Sequence, residues 1–144
     1  MSKHHAKAIW TGPVFAGTGS MQLGKSGPSV PYSLKARAEE EAGTNPEQMI
    51  GAALAGCFSM SVANLIEETG LSMDGVEIKT SAIVTLTQTD QGFRINQVDL
   101  SVIGAVEGMA NETFLQLAQK AKDTCPVSLL YASANITLEA KLAS

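Results

Sequence analysis

Between Asn45 and Gly70 the chain reads NPEQMIGAALAGCFSMSVANLIEETG, with no charged residue from Gln48 to Ile66. Such a segment has few ways to fold. Pro46 disfavours helical geometry at Asn45 and fits the first helical position, so Asn45 is the expected N-cap. Gln48 stands where a capping box wants Glu or Gln, and Glu47 meets the positive helix end. Gly70 is a natural left-handed stop. The pattern predicts one long helix, and polarity this low all round predicts burial on most of its sides. Gly51, Ala55 and Ser59 form one row of small residues at four-residue spacing, and Ala52, Gly56 and Met60 form another. Flat rows of this kind let a second backbone come close. A chain of 144 residues has difficulty surrounding such a helix, so a homodimer packed through it is expected.

The stretch is long enough to span a bilayer, but Ala, Gly, Ser, Asn and Gln make most of it, and its cap is that of a soluble helix. No membrane partner is therefore expected. MSKHHAKAIW lacks the apolar core of a signal peptide, which points to the cytoplasm, where thiols are kept reduced. The net charge of −4, without any Lys/Arg cluster, argues against nucleic acid, which needs basic patches to displace counterions.

The length suits a single domain, residues 1–144. Residues 4–10 read as a strand ending at Gly12-Pro13, and a short strand is expected around Ser20–Leu23. Tyr32–Ala38 alternates and predicts a strand, with Arg37 on its polar face. Glu39–Gly43 reads as a polar turn. Val76–Leu86 and Phe93–Val106 alternate around Gln91-Gly92 and predict a long hairpin with one buried face. Asn111 is the expected cap of a second helix, Glu112–Lys122, broken at Cys125-Pro126. A turn over Val127–Leu130 leads to a last strand, Ala134–Leu142. This order predicts an α+β fold with antiparallel sheets, not alternating βαβ units.

The chain has two cysteines, Cys57 inside the long helix and Cys125 just before a proline. A cysteine on an apolar helix is by default a small hydrophobe, and mid-helix placement removes the helix N-terminus as a means of acidifying it. A reactive Cys57 therefore needs a cation from elsewhere, for which Arg37 is the best candidate; by default Arg37 would pair with one of Glu39–Glu41. Two cysteines make no zinc site, and the His4-His5 pair lacks metal-ligand spacing, so no metal is expected. There is no GxSxG elbow and no Gly-rich loop between a strand and a helix, so neither a serine hydrolase nor a nucleotide site is supported.

GTNPEQMIGAALAGCFSM (Gly43–Met60) followed by CPVS (Cys125–Ser128), with Arg37 upstream, Asp90-Gln91-Gly92-Phe93 at the hairpin turn and ITLEAKL at the end, resembles the OsmC/Ohr family of thiol peroxidases. SLKARAEEEAGTNPEQ is closer to its OsmC branch. The resemblance implies an intertwined α+β homodimer around a long buried central helix. It also implies a cysteine-based peroxidase that reduces organic hydroperoxides, and hydrogen peroxide more weakly, without a bound cofactor. Cys57 would be the peroxidatic thiolate and Cys125 the resolving thiol. Arg37 would steady the thiolate, and Glu47 would orient Arg37 from the second subunit. An external dithiol, such as a lipoyl-type reductant, would reset the pair. Leu54, Ala38 and Thr124 depart from the family pattern. Met49, Ala53, Phe58 and Met60 would supply apolar surface favouring organic peroxides. The alternative is a non-catalytic dimeric binding protein of the same fold with an inert, buried Cys57.

Overall fold

The computed structural model describes residues 1–39 and 43–143. The chain forms two compact units, Met1–Met49 and Ile50–Ser144, whose boundary falls inside one continuous helix.

The first unit holds an antiparallel sheet of β1 (Ala6–Thr11), β2 (Thr18–Leu23) and β3 (Ser29–Tyr32), in that order. The expected strand Tyr32–Ala38 is corrected: pairing ends at Tyr32, and Leu34–Ala38 is a short helix, α1. Ser33 decides this, because its hydroxyl accepts the Ala36 N–H at 3.1 Å and caps a run of good helix formers. Alternation over so few residues is weaker than that cap. The expected polar turn at Glu39–Gly43 falls largely on residues 40–42, outside the described residues.

The long helix, α2 (Pro46–Glu67), starts as its sequence requires. Asn45 Oδ1 accepts the Gln48 N–H at 2.8 Å, and Gln48 Oε1 accepts the Asn45 N–H at 3.3 Å, closing a capping box. At the other end Gly70 adopts φ +82°, the left-handed stop.

The second unit is built on β4 (Glu77–Thr89), β5 (Gly92–Ala105) and β6 (Asn135–Leu142). The expected β4–β5 hairpin forms, with its turn at Asp90-Gln91, one residue before the expected Gln91-Gly92. The sheet is not wholly antiparallel: β6 lies parallel to β5, Val98 opposite Ile136 and Leu100 opposite Leu138. Two helices, α3 (Asn111–Thr124) and α4 (Pro126–Leu130), form the crossover between these strands, so a βαβ unit is present after all. Residues Val127–Leu130, expected as a turn, are helical because Pro126 suits a first helical position. Asn111 is the first residue of α3 rather than its cap; extended Ala110 holds the cap position without a side-chain bond.

One face of this sheet is apolar through all three strands, in rows Val84–Val98–Ile136 and Ala82–Leu100–Leu138. Leu54, Phe58, Val62 and Ile66 of α2 pack on it with Phe114, Ala118 and Ala121 of α3. Gly51 and Gly104 permit the closest approaches: a Cβ on Gly51 would stand 3.2 Å from Val84 Cγ2, and one on Gly104 would meet the Phe114 ring at 2.5 Å.

The expectation that α2 is buried on most sides is corrected for the single chain. The row Gly51–Ala55–Ser59 faces the sheet, where Ser59 Oγ meets Thr80 Oγ1 at 2.7 Å. Ala52, Gly56 and Met60 are exposed, Met60 at 76%. Helix α2 is long and apolar enough to cross a bilayer, a property that the core helix of a soluble fold shares. Its apolarity here serves a packed face and an open one.

Candidate functional site

Two pairs of side chains stand out, one in each unit. In the first, Asn45 does more than cap α2. Its Nδ2 donates to the Ala36 carbonyl at 3.0 Å in a buried contact, tying the end of α1 to the start of α2. That tie sets Arg37 beside Glu47. Arg37 Nε donates to Glu47 Oε2 at 3.2 Å, and Nη2 stands 3.1 Å from Oε1. This side-on, two-point clamp fixes the guanidinium plane and leaves Nη1 with no acceptor among the described residues. The carboxylate side chain is 13% exposed and the guanidinium 41%. Glu47 was expected to reach Arg37 from a second subunit; here the pair forms within one chain, because Asn45 at the start of α2 bonds the Ala36 carbonyl of α1. Of the default partners Glu39–Glu41, Glu39 lies 3.9 Å from Lys35, and Glu40 and Glu41 fall outside the described residues.

In the second unit, Cys57 and Cys125 are free thiols with their sulfurs 3.0 Å apart. Cys57 sits on the half-exposed flank of α2, next to the buried row that ends against the sheet. Cys125 lies at the break between α3 and α4, where Pro126 ends the first helix and begins the second. The break turns the Cys125 side chain inward, to 1% exposure. Residues far apart in sequence are thus brought together, needing only about 1 Å of further approach to reach disulfide length.

The two thiols differ electrostatically. Burial pushes the Cys57 thiol up, and its hydrogen bond with Cys125 adds to the effect. Burial also acts upward on Cys125, but the hydrogen bond with Cys57 and the backbone N–H of Ser128 outweigh it, leaving Cys125 below the ordinary thiol value. A weaker pull comes from the buried Ser128 hydroxyl, which has no other hydrogen-bond partner among the described residues. Within this unit nothing outweighs the upward push on Cys57.

A recess of about 330 Å³ opens onto Cys57, with Met60, Ser61, Asn64, Thr124 and Pro126 in its wall. The inert-thiol alternative needs Cys57 sealed in the core, and it is not sealed. Of the apolar neighbours expected at the site, Met60 lines this recess, whereas Phe58 is wholly buried in the core and unavailable to substrate. Leu54 is likewise a core residue. No group of His, Cys, Asp and Glu able to hold a metal ion occurs among the described residues. The linking role of Asn45 and the buried Ser128 hydroxyl were not anticipated. Both lie inside motifs the sequence flags, the helix cap and CPVS.

Comparison with known proteins fits this arrangement. The profile of the family described as OsmC-like protein matches residues 38–141. The chain belongs to the OsmC-like family. Among OsmC-like relatives, Peroxiredoxin OsmC of Escherichia coli (strain K12) is 40% identical over 140 residues, covering 96% of this chain and 95% of that protein. Organic hydroperoxide resistance protein OhrA of Bacillus subtilis (strain 168) is 30% identical over 117 residues, 81% of this chain and 77% of its own. Among solved structures, an OsmC-like protein of unknown function from Vibrio cholerae aligns with TM-score 0.77 at 16% identity, covering 97% of this chain and 99% of that one. At that identity the likeness establishes the OsmC-like fold alone.

Proposed function

We propose that this chain is a cysteine-based peroxidase that reduces organic hydroperoxides to alcohols, and hydrogen peroxide more weakly, at the expense of an external dithiol. The observation that carries the reading is the 3.0 Å separation of Cys57 and Cys125. The Cys57 thiolate attacks the outer peroxide oxygen, the O–O bond breaks, and the alkoxide leaves as the alcohol after taking a proton. Cys57 becomes a sulfenic acid. Cys125, its thiol held below the ordinary value by its hydrogen bonds, attacks that sulfur as thiolate and expels hydroxide, which leaves as water. A dithiol, with a lipoyl-type reductant as the candidate class, then reduces the disulfide by exchange. One hydroperoxide and two thiols thus yield one alcohol, one water and one disulfide.

The first step requires an ionised Cys57, which its own surroundings oppose. In this reading Arg37 supplies the missing cation through its open Nη1 edge, and Glu47 holds that edge in place. The same edge steadies the negative charge developing on the leaving oxygen. The exposed row Ala52–Gly56–Met60 is where a second copy packs, giving the homodimer. The reaction belongs in the cytoplasm, where dithiol reductants operate.

The test is intact mass after a short peroxide pulse on reduced protein. A loss of two hydrogens mapped to Cys57 and Cys125, with turnover of cumene hydroperoxide abolished by Cys57→Ser, is the expected result. A wild-type protein that consumes no hydroperoxide with any dithiol would overturn the proposal.

A further inference from the structure

The short helix α4 is seated against its own hydropathy. Ser128 is its buried residue, at 6% exposure, while Leu129 and Leu130 stand 60% and 77% exposed. Successive residues lie about 100° apart around a helix, so a modest rotation would bury Leu129 in place of the serine. The fold forgoes that apolar burial and encloses a hydroxyl, which is costly unless the hydroxyl is paired. Ser128 Oγ has no partner among the described residues other than the sulfur of Cys125.

Burial disfavours a charge on Cys125, and donors gathered at its sulfur oppose that: the Ser128 N–H, the Ser128 hydroxyl and the Val127 N–H. A thiol is a weak acceptor and a thiolate a strong one. In the reduced chain Cys125 donates its proton to Cys57 Sγ at 3.0 Å, so the serine hydroxyl gains a full acceptor only when that proton has gone. Cys57 of α2 is the titratable group that faces Cys125. Lys122 and Asp123 of α3 pair with each other at 3.8 Å, Tyr131 turns its hydroxyl to the Ile50 carbonyl at 3.3 Å, and β5 and β6 contribute apolar side chains to the surrounding core.

Cys125 carries negative charge twice in the proposed cycle. It attacks the Cys57 sulfenic sulfur as thiolate, and the S–S bond forms as the S–O bond breaks and hydroxide leaves as water. Later a thiolate of the external dithiol attacks the Cys57 sulfur, onto which the recess opens, whereas Cys125 is 1% exposed. The S–S bond breaks and Cys125 departs with the electron pair; the second thiol of the dithiol then displaces Cys57 and closes the reductant's own disulfide. We infer that Ser128 is a further residue of this reaction, its hydroxyl donating to the Cys125 sulfur in both steps. The inference rests on the resolving role proposed for Cys125.

The test uses Ser128→Ala in the full chain, which removes the hydroxyl and little volume. In a Cys57→Ala background Cys125 is the only thiol, and the ultraviolet absorbance of its thiolate gives its ionisation midpoint. Adding Ser128→Ala should move that midpoint to higher pH. In the chain with both cysteines, quenched flow and intact mass follow disulfide formation after one equivalent of peroxide. One donor to a charged sulfur is worth roughly ten- to a hundredfold in thiolate population, and the greater nucleophilicity of a more basic thiolate returns about half of that on a logarithmic scale. Ser128→Ala should therefore slow disulfide formation about three- to tenfold below the midpoint, with the two pH curves converging above it. Its urea midpoint in the reduced form should be no lower than that of wild type, since the lost hydroxyl has no other partner. A Cys125 midpoint that stays in place, or a slowing equal at every pH, would overturn the inference, leave the peroxidase reading intact and make the hydroxyl a structural group. A wild type that forms no Cys57–Cys125 disulfide would instead overturn the peroxidase reading, and the inference would fall with it even where Ser128→Ala moves the midpoint.

Discussion

Oxidation of the cysteine pair should stabilise the fold by an amount that the topology sets. Cys57 and Cys125 are 68 positions apart, and their sulfurs lie at 3.0 Å in the reduced chain. Closing a loop of that length removes unfolded-state entropy worth about 4 kcal/mol at 25 °C in the chain-entropy model. Native strain reduces the gain, but only about 1 Å of sulfur movement is required. Cys125 sits at a helix break that can absorb such a shift, since its carbonyl and N–H bond to Leu129 and Ala121 on either side of the break. For a chain of this size roughly 2–4 kcal/mol corresponds to a rise in Tm of about 5–15 °C, or about 1–2 M in urea midpoint. The assay is thermal and urea unfolding of protein oxidised with one equivalent of peroxide, against the same protein in excess dithiol. Cys57→Ser should show no redox-dependent shift. An oxidised wild type within about 2 °C of the reduced form, or below it, would refute the claim that the native fold holds these thiols ready to bond.

Further expectations concern the individual groups. Burial and Cys125 both raise the Cys57 thiol, so Cys125→Ala should move the Cys57 alkylation midpoint to lower pH; Arg37→Ala should move it to higher pH, and a curve that stays in place on that change would remove Arg37 from the site. Glu47→Gln should leave stability within about 1 kcal/mol, because Arg37 is half in water, yet lower kcat/KM for hydroperoxide at least tenfold by freeing the guanidinium. Stopped-flow rates equal to wild type would show that the clamp has no part in catalysis. Nothing lies within 4 Å of a Cβ at Gly56, so Gly56→Val costs the single chain little; if a second copy packs there, sedimentation should show dissociation by a factor of roughly a hundred or more.

Much of this arrangement is legible in the residues themselves. Asn45, Pro46 and Gln48 announce the helix start because capping is a local transaction among neighbours, and the alternation across the β4–β5 hairpin gives its buried face for the same reason. Local signals mislead where two local patterns compete. Tyr32–Ala38 alternates like a strand, but the Ser33 hydroxyl bonds three residues on and makes α1. The parallel seating of β6 had no local signature at all, since it depends on the α3–α4 crossover returning the chain beside β5. Likewise α2 reads as apolar all round, and only its packing reveals that one small-residue row meets the sheet while the other stays open.

The sequence by itself determined the family, the two thiols and the cation candidate, because motif, spacing and residue chemistry are written along the chain. Tertiary structure decided what those groups do to one another. It set the sulfurs 3.0 Å apart, pushing the Cys57 thiol up and the Cys125 thiol down, because burial and hydrogen bonds act through space. It gave Glu47 to Arg37 within one chain, through an asparagine whose two ends serve different helices. The long helix that opens the reading therefore carries Cys57 by sequence, but the second thiol beside it, Cys125, is brought near only by folding.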